Sequence, residues 1–204
     1  ATVTELLAPH SSSAIVAHTE WRQEIDGWFV IRMLSQIFYH AFVLLEIEGG
    51  FIICAEKYSD KLELMFGDAG IMLDIAAHFH TDGAPRKCSW PQERSVLDGS
   101  VTVQQLVDWI TGPLAIVWKP YSLTSSNCQH YVEDLRQFLT DPTSGEKLKR
   151  DREVVRAAVA KDGWKLELVA GPLKEDLDIV SVAVGQCGMA LKAAGKLPRK
   201  SRQV

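Results

Sequence analysis

Pro120-Tyr121-Ser122-Leu123-Thr124-Ser125-Ser126-Asn127-Cys128-Gln129-His130-Tyr131-Val132-Glu133-Asp134-Leu135 is the stretch that decides how this chain is read. A polar loop runs into a helix, with a cysteine on its first turn. Ser125, Ser126 and Asn127 are all N-cap types. Cys128, Val132, Leu135 and Leu139 then recur at i, i+4, i+7 and i+11, and Tyr131 and Phe138 widen the apolar stripe. Glu133, Asp134, Arg136 and Gln137 supply the wet face, and Thr140-Asp141-Pro142 ends the helix. The start of a helix offers unpaired N–H groups and partial positive charge, which favour a thiolate over a thiol. A small buried core residue is the competing reading of Cys128.

A thiolate needs a partner, usually histidine. His130, two residues on, points off to the side of the helix, so the expected partner is His40, brought in by the fold. His40 opens the run His40-Ala41-Phe42-Val43-Leu44-Leu45-Glu46-Ile47, which predicts a strand. Glu48-Gly49-Gly50 predicts a hairpin turn, with Phe51 to Tyr58 returning beside it and Lys61 to Phe66 as a third strand. If the turn centres on Gly49, the end of the return strand lies beside His40. Glu56 and Tyr58 share a face there, and either could fix the tautomer of the imidazole; Glu56 is preferred.

Asn127-Cys128-Gln129-His130-Tyr131 resembles the Asn-Cys-Glu/Gln-His-Phe signature of the lecithin retinol acyltransferase-like group, within the circularly permuted papain-fold thiol enzymes. In that group a histidine opens an early strand and the nucleophilic cysteine comes later, at a helix start. Tyr39 to Leu45 fits the histidine strand, and the resemblance spans roughly residues 37 to 140. It implies Cys128 as nucleophile and His40 as base and then acid. The backbone N–H of Cys128, helped by Gln129, would receive the oxyanion. The reactions implied are hydrolysis of, or acyl transfer from, an amide, isopeptide, thioester or ester carbonyl. A catalytically inactive papain-like scaffold in a larger assembly is the alternative.

The C-terminal residues read as a repeat. Asp151-Arg152-Glu153-Val154-Val155 aligns with Asp176-Leu177-Asp178-Ile179-Val180, and Gly163-Trp164-Lys165-Leu166 with Gly188-Met189-Ala190-Leu191. The spacing of about 25 residues predicts two copies of a short helical unit, each opened by an Asp N-cap. This pattern resembles a tandem helical repeat family of unknown function, which implies docking of a protein partner through residues 151–204 rather than chemistry.

The predicted architecture is therefore α+β: an antiparallel sheet packed on a cysteine-bearing helix, permuted papain-like, with a small C-terminal all-helical repeat module. The expected division is 1–140 as the papain-like domain, 141–150 as a linker, and 151–204 as the repeats. Residues 1–14 read as a loose arm, Ala14–Arg22 as a strand and 26–37 as ambiguous. The span from Gly67 to Ser100 reads as irregular, with His78 and His80 in a surface loop. A short helix after Ser100 is expected to stop at Gly112-Pro113.

With 204 residues, 47% of them hydrophobic, the chain can bury a real core. A net charge of −4 argues against general nucleic-acid binding, and the basic stretch from Lys196 to Arg202 reads as a solvated terminus. Cys54, Cys88, Cys128 and Cys187 are scattered without CxxC or zinc spacing. This predicts no metal site, no cofactor and a reducing compartment such as the cytoplasm, or an organelle if a presequence has been removed. Trp28 to Ile53 is too interrupted by Arg32, Glu46, Glu48 and glycines to predict a transmembrane segment, so a soluble protein is expected.

Overall fold

The computed structural model describes residues 3–24, 39–58, 61–81, 83–86, 89–118 and 127–200. The ambiguous segment 26–37, Cys88 and the cap candidates Ser125 and Ser126 lie outside them. The chain divides into two compact units: residues 1–106 with 119–140, and residues 107–118 with 141–204.

The first unit is α+β. It opens with a short helix α1 (Val3–Leu7) and a 3-10 turn (Ala8–His10), with Leu7 buried, so the segment expected to be loose is folded onto the core. Strands β1 (Ile15–Glu24), β2 (Tyr39–Ile47), β3 (Phe51–Lys57) and β4 (Leu62–Asp68) follow, then helix α2 (Ala69–His78) and strand β5 (Ser89–Val96). The five strands form one antiparallel sheet in the order β4-β3-β2-β1-β5. The hairpin between β2 and β3 closes on Gly49 and Gly50, both at positive φ (94° and 83°), which a side-chain-bearing residue rarely adopts. That turn sets the register Ile47↔Phe51 through Phe42↔Glu56.

Because strand side chains alternate, each face of the sheet has its own cover. Phe42, Leu44, Ile52 and Cys54 pack with Met72 and Ala76 of α2. Glu20 pairs opposite Val43 and so lies on the other face; it is bound there by Arg136 (2.9 Å).

Helix α3 (Val103–Trp109) begins with a reciprocal cap. The Gln105 side chain accepts from the Thr102 N–H (2.8 Å) while the Thr102 hydroxyl accepts from the Gln105 N–H (3.3 Å). Helix α4 (Cys128–Thr140) buries Cys128, Tyr131, Val132, Leu135, Phe138 and Leu139, the stripe expected from its spacing.

Other expectations change as well. The span after Gly67 holds α2 and β5 rather than irregular chain. Nor does Gly112-Pro113 stop the helix before it: the helical path from α3 continues through a π turn (Ile110–Leu114) to Ala115–Val117. A π turn absorbs the residue that lacks a donor, so proline widens the helix there instead of ending it.

In the second unit, residues 141–150, compositionally a linker, contain helix α5 (Ser144–Arg150). A Cβ at Gly145 would sit 2.7 Å from Pro113 Cγ and 3.0 Å from Trp109 Cδ1, so only glycine fits there. Helix α6 (Arg152–Lys161) and its following 3-10 turn (Gly163–Leu168) start 25 residues before helix α7 (Leu177–Gln186) and the turn Gly188–Ala193. Asp151 caps Glu153 and Val154; Asp176 caps Asp178 and Ile179. Val155, Val159, Leu166, Val169, Ile179, Val180, Ala183, Ala190 and Ala194 form a core of their own. A short helix α8 (Lys196–Lys200) ends the described chain. Among the described residues no helix is long and apolar enough to cross a membrane.

Candidate active site

The pairing of β2 with β3 ends at Phe42↔Glu56, so the backbone groups of β2 just before Phe42 face no strand of the described residues on that side. The tip of α4 occupies this place. The Ala41 N–H donates to Cys128 Sγ (3.3 Å), the sulfur lies 3.7 Å from the Tyr39 carbonyl oxygen, and Gln129 Nε2 donates to the same oxygen (3.1 Å). Asn127 is the N-cap: its side-chain oxygen accepts the His130 N–H (3.1 Å) and also meets His130 Nδ1 (2.7 Å). Cys128 is thus the first residue of the helix, where the N–H dipoles favour negative charge. His130 serves the cap, away from the sulfur.

His40 sits two residues before Phe42 and shares its face, which makes it a diagonal neighbour of Glu56. Its Nε2 lies 2.6 Å from Glu56 Oε1, and its ring is hydrogen-bonded to Cys128. With Nε2 engaged by the carboxylate, Nδ1 is the atom that remains for the sulfur. Burial on its own would lower the His40 pKa. The hydrogen bonds with Cys128 and Glu56 outweigh it and raise the value to about 9. The thiol is 1% exposed, whereas the His40 side chain keeps 19% of its surface.

Glu56 is fully buried. Burial would raise its pKa, but the hydrogen bond from His40, the Arg86 guanidinium and the Thr81 N–H hold its carboxyl well below the usual range. Arg86, also fully buried, donates Nη1 to Oε1 (2.9 Å) and Nη2 to Oε2 (2.8 Å). His80 Nδ1 lies 2.7 Å from Oε1, and Oε2 accepts from the Thr81 N–H and the Tyr58 hydroxyl (3.0 Å each). The segment carrying these groups is a tight loop: His80 N–H donates to the Ala84 carbonyl and Gly83 N–H to the His80 carbonyl, with Gly83 at φ 86°.

The sequence thus named Cys128, His40 and Glu56, and the structure brings the three together; Tyr58, the alternative for the third role, contacts the other carboxylate oxygen. Gln129 is turned onto Tyr39, where it ties the helix tip to β2. His80, expected in a surface loop, lies instead on Glu56. Arg86, Thr81 and Gln23 carry no local signal, because no periodicity marks residues that converge from a loop and a separate strand. Glu56 offered the one available signal: a buried carboxylate demands a cation.

His40, Glu56 and His80 offer ligand atoms within 4.8 Å of one another. The donor chemistry does not suit an ion. Separations of 2.6 and 2.7 Å are hydrogen-bond lengths, shorter than the ~3.3 Å between ligands about 2.0 Å from a tetrahedral metal, and Arg86 already fills both oxygens. The cluster is a hydrogen-bonded anion site.

Residues 151–197 match a domain of unknown function, DUF4116. The DUF4116 match takes in both Asp-capped helices, α6 and α7, and leaves Cys128, His40 and Glu56 outside it. No curated protein and no solved structure matches the chain.

Proposed function

We propose that the first unit is a cysteine-dependent hydrolase or acyl transferase of the permuted papain kind, acting on an amide, isopeptide, thioester or ester carbonyl. One observation carries this reading: the Cys128 sulfur is hydrogen-bonded to an imidazole whose other nitrogen is held at 2.6 Å by a buried carboxylate. In the reaction, Cys128 sulfur attacks the carbonyl carbon and the carbonyl π electrons move to oxygen. The backbone N–H of Cys128 stabilises that oxyanion. His40 gives its proton to the leaving group as the tetrahedral adduct collapses to a thioester. His40 then takes a proton from water, or from an acceptor nucleophile, which adds to the thioester carbonyl; as that adduct collapses the C–S bond breaks, the acyl group leaves on the nucleophile, and the sulfur and protonated His40 return to their starting state.

Alkylation with iodoacetamide across pH, with mass spectrometry of each cysteine, tests it. Cys128 is expected to react fastest, with an apparent pKa below the free-thiol value of ~8.5, and to slow in His40→Ala. Cys54, whose thiol burial pushes up to about 12, stays unlabelled. A Cys128 that labels only on unfolding would end the enzyme reading.

That outcome would favour the second reading, an inactive scaffold, which the 1% exposure of Cys128 supports. Under either reading the α6–α7 segment is two copies of a 25-residue helical unit acting as a docking module for a protein partner. The matching Asp caps 25 residues apart are its support. Three free cysteines among the described residues suit a reducing compartment.

A further inference from the structure

Arg86 is immobilised from every side. Its Nη1 and Nη2 grip both oxygens of Glu56, its Nε donates to the Phe79 carbonyl (2.9 Å), and its guanidinium lies 3.6 Å over the Phe42 ring. Nη1 also donates to Gln23 Oε1 (3.0 Å). That last contact fixes the orientation of an amide: the end of Gln23 facing Arg86 must be oxygen, so the end facing His80 must be NH2. Gln23 Nε2 lies 3.3 Å from His80 Nε2, and an NH2 can only donate there. His80 Nε2 is therefore the acceptor, and its proton sits on Nδ1, which donates to Glu56 Oε1 at 2.7 Å; Arg86 Nη1 also lies 3.2 Å from that nitrogen, but both of its hydrogens are taken by Glu56 and Gln23. Glu56 Oε1 thus receives N–H groups from Arg86, His80 and His40, and such an oxygen is poorly placed to take a proton.

We propose that Arg86 is the positioning residue of this site. It holds Glu56 as an anion with Oε1 aimed at His40 Nε2 and, through Gln23, locks His80 as the Nδ1–H tautomer, so the proton leaving Cys128 rests on His40. The inference builds on the reading of Cys128 and His40 as the reacting pair. Among the described residues, the other ionisable groups around Glu56 are Tyr58, Cys54 and Glu63, its cross-strand partner on β4. Those around His40 are Cys128 from α4, with the Tyr58 and His80 rings 6.3 and 5.8 Å away. Among the described residues, Arg86 is the one guanidinium in direct contact with Glu56.

The test uses Arg86→Gln and Arg86→Lys in the full chain, with folding checked by circular dichroism. Nitrogen-15 NMR of the imidazoles reads the tautomers, and the downfield proton of His40 Nε2–H reads its bond to Glu56. In Arg86→Gln, His80 is expected to leave the single Nδ1–H state and the His40 signal to weaken. Cys128 alkylation should slow by about tenfold or more, as when an outer partner of a reactive group is lost. Arg86→Lys, which restores the charge without the fork, should recover only part of this. A folded Arg86→Gln protein with both imidazole signatures unchanged overturns the proposal. Should Arg86→Gln not fold, Gln23→Leu carries the test, and a His80 still locked as Nδ1–H in that variant overturns it equally. A wild-type Cys128 that never reacts defeats the functional reading instead, while the imidazole spectra still report on Arg86.

Discussion

Replacing Cys128 with alanine tests the sulfur–imidazole pair directly. A His40 pKa of about 9 against an ordinary 6.5 favours the imidazolium by about 3 kcal/mol, at 1.36 kcal/mol per unit. Burial works against that figure, and the hydrogen bond with Cys128 is the largest contribution in its favour. An opposite charge at contact distance moves a pKa by about 1–3 units, so Cys128→Ala should lower the His40 value by at least about one unit, with Glu56 still holding Nε2. The assay is a carbon–proton NMR titration of the imidazole Cε1–H signals from pH 5 to 11, with His40 assigned by its loss in His40→Gln. A wild-type His40 titrating near 6.5 would refute the pair. So would a value near 9 that does not move in Cys128→Ala, because the carboxylate alone would then account for it.

The remaining predictions concern stability. Arg86→Leu strands a buried carboxylate and should cost about 3–5 kcal/mol in urea unfolding, whereas Glu56→Leu with Arg86→Leu should lose less than about 2, since an apolar pair replaces both charges; equal losses would contradict the buried pairing. Because the folded-state pKa of Glu56 is depressed, its contribution is present above the unfolded value of about 4.3 and is lost as pH falls below it. Acid unfolding curves of Glu56→Gln should therefore be flatter than wild type in that range. The raised His40 value has the opposite sign: its contribution is full below about 6.5 and disappears as pH rises through about 9. Gly145→Ala should destabilise by about 1–3 kcal/mol, because its Cβ would meet Pro113 at 2.7 Å; an unchanged melting temperature would mean that the segment yields.

What could be read from the sequence was whatever lay within one period of a local pattern. Cys128 follows an N-cap, His40 opens an apolar strand, and Glu56 falls at a countable distance from a two-glycine turn. Helix α2 escaped because Ala69-Gly70-Ile71-Met72-Leu73 mixes buried Met72 with exposed Ile71 and Leu73, so no stripe stands out. Strand β5 escaped because it is an edge, largely exposed, with Pro91 opposite Trp21. Arg86 and His80 reach Glu56 from 30 and 24 residues away through a loop whose composition says only "turn". Their convergence follows from tertiary packing, which no window of sequence displays.

The Gly49-Gly50 bend acts as a ruler for the reactive groups. One residue added between that bend and Glu56 would turn the carboxylate to the opposite side of the sheet and leave His40 facing alanine or lysine. Two residues would restore the side but carry the carboxylate nearly 7 Å along the strand, away from the place where Arg86 and the Thr81 N–H hold it. The length of this hairpin is therefore as much a part of the cluster as the side chains it aligns, and on the proposed enzyme reading insertions there should silence the thiol.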